Sequence, residues 1–206
     1  MINNYNFIAP YYGILSRLVY GHLLINAQKH LVDQLPLDGD LLFIGGGNGD
    51  LLPYLYGKRP KLNIEYLEAS KQMIFLARSK KHELQKIIFT MSSEFETQRP
   101  FDYVLAPFVF DMFYESETKE IIRKLEAKNK VIPEWYVCDF DSSADISFLD
   151  KVRLQLSILF FRLVSAHKLT FLPIIMPVFT DLGYRTRSSL GYRGGFVCAK
   201  VFEKRQ

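Results

Sequence analysis

The sequence predicts an α/β fold: a doubly wound, seven-stranded, mostly parallel sheet with an antiparallel C-terminal strand and helices on both faces. Three observations carry that expectation. Short apolar runs alternate with longer amphipathic ones, which is how successive βαβ units read. The first short run ends in a glycine cluster, Gly45-Gly46-Gly47-Asn48-Gly49. The last part of the chain has two strand-like runs joined through Gly191-Tyr192-Arg193-Gly194-Gly195, an antiparallel hairpin at one sheet edge.

The elements follow in order. Ile14, Leu18, Ile25, Val32 and Leu35 recur at helical intervals, and Pro36 closes that helix. The burst Leu41-Leu42-Phe43-Ile44 before Gly45 is a strand buried on both faces. A short helix over 51–56 is expected to stop at Gly57. A second strand spans 63–67, and Ser70 caps a helix reaching about residue 81. The third and fourth strands fall at 86–91 and 101–106. Ser116 is the expected cap of a helix running to about 127. The fifth strand lies within 131–140 and precedes a long helix over 146–166. The hairpin strands occupy 184–190 and 196–202.

Composition bounds the function. The chain has 206 residues, 49% of them apolar and 23% charged, enough to bury a core as one domain. The 15% aromatic share suits either that core or a pocket for a planar ring. The net charge of +4 is scattered, and the clusters Arg78-Ser79-Lys80-Lys81 and Lys204-Arg205 are too short for a nucleic-acid footprint. Cys138 and Cys198 lie in strand-like runs without metal-ligand spacing, so no metal is expected and both read as buried thiols of a reducing, cytoplasmic compartment. No secretory leader is visible at the N-terminus, and the most apolar segment, Leu154 to Val164, contains Arg162 and is too short for a membrane span.

The glycine loop carries the chemistry. It follows a strand and opens a helix, so its backbone can turn tightly and approach a ligand with no Cβ in the way. In such a sheet, ligands lie beyond the carboxyl ends of the strands, where the strand order reverses. A dinucleotide loop would need a third glycine where Asp50 stands, which argues against a nicotinamide-dependent oxidoreductase. The spacing met instead is Gly45-x-Gly47-x-Gly49. The second strand ends in Glu68, about 20 residues past the loop, where a carboxylate can accept hydrogen bonds from a ribose diol or cap the next helix.

On these residues the chain resembles the class I S-adenosylmethionine-dependent methyltransferases of small-molecule type, over nearly its whole length. The resemblance implies one domain over 1–206, with 1–36 as an N-terminal helical lid and 37–206 as a Rossmann-like core. It implies S-adenosylmethionine as cofactor. Its binding residues would be Gly45, Gly46, Gly47 and Gly49 of the loop and Glu68 on the ribose, with Ala69 and Met73 in the segment Glu68-Ala69-Ser70-Lys71-Gln72-Met73. Ser92, Ser93 and Glu94 fall where members present an adenine-binding acid, and Ala106 ends a fourth strand similar to the family's own. The opening Tyr5-Asn6-Phe7-Ile8-Ala9-Pro10-Tyr11-Tyr12 is similar to a cofactor lid. Two departures stand out: Phe43 replaces an acid near the cofactor's ammonium, and Ser93 replaces the adenine acid. Loss of one such carboxylate costs about 1 kcal/mol.

Methyl transfer from a sulfonium needs alignment and exclusion of water more than covalent help from side chains. The catalytic candidates are accordingly few: Asp111 and Asp141 as base or substrate holder, each more often a helix cap in such a context, and Tyr12, which with Tyr11 could face the sulfonium through its ring. His167 reads as a helix-end cation; His22, His30 and His82 read as helix-surface residues. The segment Ala106-Pro107-Phe108-Val109-Phe110-Asp111-Met112-Phe113-Tyr114 lacks the Asn/Asp-Pro-Pro-Tyr/Phe sequence of base-directed methyltransferases. Its phenylalanines suit either the core or an apolar or aromatic small-molecule acceptor. The alternative is a non-catalytic cofactor-binding or interaction protein of the same fold. The acceptor, the atom methylated and the oligomeric state are not legible.

Overall fold

The structure, a computed structural model, describes residues 21–80, 86–141 and 173–204. The expected helix over 146–166, the lid residues 5–12, Ile14, Leu18, His82 and His167 lie outside the described residues.

Seven strands form one sheet: β1 (Asp38–Ile44), β2 (Lys61–Glu68), β3 (Ile87–Met91), β4 (Tyr103–Pro107), β5 (Glu134–Phe140), β6 (Tyr184–Tyr192) and β7 (Val197–Lys204). Their spatial order is β3-β2-β1-β4-β5-β7-β6. Strands β1 to β5 pair in parallel, and β7 is antiparallel both to β5 and to β6. The chain winds outward from β1 to β3 and then returns to the far side of β1 as β4. The order therefore reverses at the end of β1, where the glycine loop begins.

Period-two alternation sorts each strand between two cores. On one face Leu41, Phe43, Tyr66, Leu105, Tyr136, Cys138 and Val201 pack under helix α1 (Leu23–Gln34), α2 (Leu52–Lys58) and α3 (Lys71–Arg78), through Ala27, Leu31, Leu55 and Ala77. On the other, Leu42, Ile44, Val104, Trp135, Val137 and Phe202 meet α4 (Glu115–Glu126) and α5 (Met176–Asp181) through Ile122, Leu125 and Phe179. Phe179 stacks on Phe202 with ring centroids 4.3 Å apart, and Trp135 meets it edge-on. Both cysteines are buried and free.

Several element ends differ from the sequence expectation. Gly57 does not stop α2, which runs on to Lys58 and closes with the Arg59 N–H on the Leu55 carbonyl. The Arg59 guanidinium holds the Leu35 and Asp33 carbonyls, and that anchor outweighs the glycine. Ser116 does not cap α4. Tyr114 precedes the helix, and its N–H donates to the Glu117 carboxylate at 2.8 Å, so a side chain reaching backward satisfies the helix entrance. Ser70 does cap α3, its hydroxyl accepting from the Met73 N–H, but the helix ends at Arg78. Helix α5 has no counterpart in the sequence reading. Among the described residues, no helix is long and apolar enough to cross a membrane, and no group of three or more potential ligands could hold a metal ion.

Candidate functional site

The loop between β1 and α2 is shaped by its own neighbours. Gly45, Gly47 and Gly49 all have positive φ, near +63°, +60° and +80°, a conformation that disfavours side chains. A Cβ at Gly45 would meet Val109 at 2.5 Å, one at Gly46 the Tyr66 ring at 2.5 Å, and one at Gly49 the Ala77 backbone at 2.8 Å. Gly47 alone of the four would, among the described residues, place a Cβ with nothing within 4 Å. Three glycines are thus required by packing, and the fourth leaves bare backbone facing outward.

Two side chains of β2 fix that backbone. Residues 66 and 68 share a strand face, and both reach Gly47. The Glu68 carboxylate accepts the Gly47 N–H at 3.1 Å through one oxygen and the Ser70 N–H at 3.0 Å through the other. The Tyr66 hydroxyl donates to the Gly47 carbonyl at 2.8 Å. The Gly45 N–H donates to the Leu67 carbonyl, completing the seam between loop and strand. Burial raises the Glu68 pKa above the usual carboxylate range, opposed by the N–H groups of Ser70, Gly47 and Ala69. Burial likewise pushes the Tyr66 phenol well up. Two loop donors, the N–H groups of Gly46 and Asn48, have no acceptor among the described residues.

The other sequence-predicted residues fall around this loop. Ala69 is exposed and Met73 is buried under α3. The Ser92 N–H donates to the Glu68 carbonyl, which sets the end of β3 beside the end of β2. Ser92 Oγ accepts from the Glu94 and Glu96 N–H groups and so shapes a turn, while Ser93 and Glu94 are exposed. Ala106 is fully buried in the second core, beside Val137 of β5. Phe43, in place of an acid, is wholly buried edge-on to Tyr66, with centroids 5.0 Å apart.

Beyond β4, Phe110 belongs to the core against Trp135 and Phe179, so it cannot line an acceptor pocket. Phe108, half-buried at a φ of +52°, packs on Phe140. Asp111 does not cap a longer helix: it sits inside a single 3₁₀ turn, Phe110–Met112. The acceptor for that turn is Asp139 of β5, fully buried, whose carboxylate takes the N–H groups of Phe110 and Asp111, each at 3.2 Å, and of Phe140 at 2.9 Å. Asp111 Oδ1 is buried with no partner among the described residues, and burial raises the group's pKa to about 7. Burial and the charge of Asp111 hold Asp139 well above its ordinary value. Asp141 donates its N–H to the Phe196 carbonyl and lies near the Cys198 thiol. Its expected cap role falls on residues that are not described, as does Tyr12. His30, expected on the helix surface, is half-buried and accepts from the Gln34 amide; His22 is exposed just before α1.

Sequence reasoning passed over Tyr66 and Asp139. The signal for Tyr66 was its position two residues before Glu68; for Asp139, an acid inside the otherwise apolar run Val137 to Phe140.

The chain has the fold of the class I S-adenosylmethionine-dependent methyltransferases. Mitomycin 7-O-methyltransferase superposes with a TM-score of 0.69 at 17% identity, over 94% of this chain and 57% of that one. The 1,6-didemethyltoxoflavin-N1-methyltransferase of Burkholderia thailandensis, solved with its substrate and S-adenosylhomocysteine bound, gives 0.67 at 11% identity over 98% and 87%. The magnesium protoporphyrin IX methyltransferase of Synechocystis gives 0.63 at 14% over 92% and 85%. The chain spans only 57% to 60% of the length of the mitomycin enzyme, a calicheamicin-biosynthesis methyltransferase and a Burkholderia O-methyltransferase-family protein. No protein-family model and no curated protein sequence matches it.

Proposed function

We propose that this chain is an S-adenosylmethionine-dependent methyltransferase acting on a small apolar or aromatic molecule, built as one domain. The observation that carries the proposal is the open Gly47 backbone held beside Glu68 at the switch point of the sheet. The Gly46 and Asn48 N–H groups, without an acceptor among the described residues, suit the amino-acid end of the cofactor. Glu68, already on the loop, suits the ribose hydroxyls, and the turn after β3, with Ser92 half-buried and Ser93 and Glu94 exposed, suits the adenine. The bound cofactor brings its own activated methyl group. What remains for the protein is to bind, orient and exclude water. The half-buried Phe108, backed by Phe140 at the end of β5, offers apolar surface beyond β4 for the acceptor.

Isothermal titration with S-adenosylmethionine tests the binding, repeated on Glu68→Ala. The wild type is expected to bind and the variant to lose about tenfold or more in affinity, as for a lost charge-assisted hydrogen bond. A wild type that takes up no heat overturns the proposal. The buried Phe43 favours the second reading, a cofactor-binding protein without catalysis. Radiolabelled methyl transfer into a metabolite extract supports the enzyme, whereas binding without transfer supports that second reading.

A further inference from the structure

A rigid peptide unit points its carbonyl and its N–H in opposite directions. In the unit joining Gly47 to Asn48, the carbonyl is drawn inward by the Tyr66 hydroxyl at 2.8 Å. The Asn48 N–H must therefore face away from Tyr66. That N–H has no acceptor among the described residues. Tyr66 itself cannot move: it is fully buried between Phe43 and Phe89, at 5.0 and 5.2 Å, with its ring beneath Gly46. Glu68 grips the preceding N–H, so β2 holds both sides of Gly47.

We infer that Tyr66 is a positioning residue for the cofactor's amino-acid end, its hydroxyl turning the Gly47–Asn48 peptide so that the Asn48 N–H meets the ligand's carboxylate. The inference rests on the methyltransferase reading and adds to it a division of labour on one strand face. Residue 68 serves the sugar, and residue 66, without touching the ligand, serves the amino acid. With phenylalanine at 66 the ring packing stays but the peptide is free to turn over. A carboxylate then loses an oriented donor, while the nucleoside half keeps all its contacts.

Two ligands separate this from a merely structural role. S-adenosylhomocysteine carries the amino-acid end, and 5′-methylthioadenosine shares the adenosine and the thioether but lacks that end. Tyr66→Phe is expected to weaken S-adenosylhomocysteine about five- to tenfold in calorimetric titration and to leave 5′-methylthioadenosine within about twofold. Phe43→Leu, which loosens the same ring without removing the hydroxyl, should lower the melting temperature and leave the ratio of the two affinities unchanged. In the wild type, the Asn48 amide resonance should move on adding S-adenosylhomocysteine and stay put with 5′-methylthioadenosine. Parallel weakening of both ligands, or of neither, overturns the inference. Should Tyr66→Phe fail to fold, the wild-type resonance decides alone, and an Asn48 amide indifferent to S-adenosylhomocysteine overturns it. A wild type that binds neither ligand is a separate result, and brings down the methyltransferase reading itself.

Discussion

Asp111 and Asp139 show how one buried acid can serve structure while its neighbour bears the electrostatic cost. Asp139 spends its carboxylate on three backbone N–H groups and ties the turn after β4 to β5. Asp111, on that turn, has one oxygen buried without a partner among the described residues, and its pKa rises to about 7 from an ordinary value near 4. A carboxyl whose folded pKa is raised is stabilising in its protonated form. Its contribution is full below the ordinary carboxylate range and is lost as pH rises through about 7. The wild-type melting temperature should therefore fall between about pH 4 and pH 7, and Asp111→Asn should flatten that fall, as read by calorimetry across the range. An equally steep fall in the variant would locate the ionisation elsewhere. Neither residue's part was legible in sequence to the same degree. Asp111 stood out as an acid among phenylalanines. Asp139 did not, because nothing local says that a carboxylate inside a buried strand end will be met by N–H groups from 28 and 29 positions away in the chain.

At the scale of elements, the loop between β1 and α2 divides glycines that shape the fold from the one that faces a ligand. Gly49→Ala puts a methyl 2.8 Å from the Ala77 backbone and should destabilise by about 2 kcal/mol or more, visible as a lower urea midpoint. Gly47→Ala meets nothing, so it should cost only about 1 to 2 kcal/mol for its left-handed backbone while abolishing cofactor binding in titration. Binding retained by Gly47→Ala would mean that the ligand approaches elsewhere. The strands and the loop were legible because apolar runs bounded by glycine admit few other readings. Helix ends were less so: Gly57 and Ser116 have the right chemistry for a stop and a cap, but Arg59 and Glu117 supply competing partners from outside the local pattern. Helix α5 was missed because six residues with Pro177 in the first turn show too little periodicity. Tyr66 was read as one more apolar strand residue, and only the three-dimensional approach of the loop gives its hydroxyl a use.

For the molecule as a whole, the sheet order sets where stability resides. β2, β1, β4, β5 and β7 have neighbours on both sides, whereas β3 and β6 are edges. The edges also carry the exposed apolar side chains Ile88, Met91 and Leu190. Amide hydrogen exchange should accordingly be slowest on β1, β4 and β5 and fastest among strands on β3 and β6. Comparable protection of β3 and β1 would contradict that gradient. The class of fold could be read in advance because alternation of elements implies parallel crossovers, and a glycine turn implies a hairpin. The placement of β7 between β5 and β6 could not be read from periodicity, since a hairpin fixes only its own two strands and leaves open which of them docks on the sheet.

That placement has a consequence during synthesis. A nascent chain that has emerged only as far as the turn at Gly194 presents β5, with Trp135, Tyr136 and Val137, as a raw flank, because the segment that must lie against it has yet to leave the ribosome. β6 is already out by then but finds no seat, for its partner in the sheet is the strand still to come. Translation must finish residues 197–204 before the sheet can close, which makes a stalled or truncated product a natural client for chaperones.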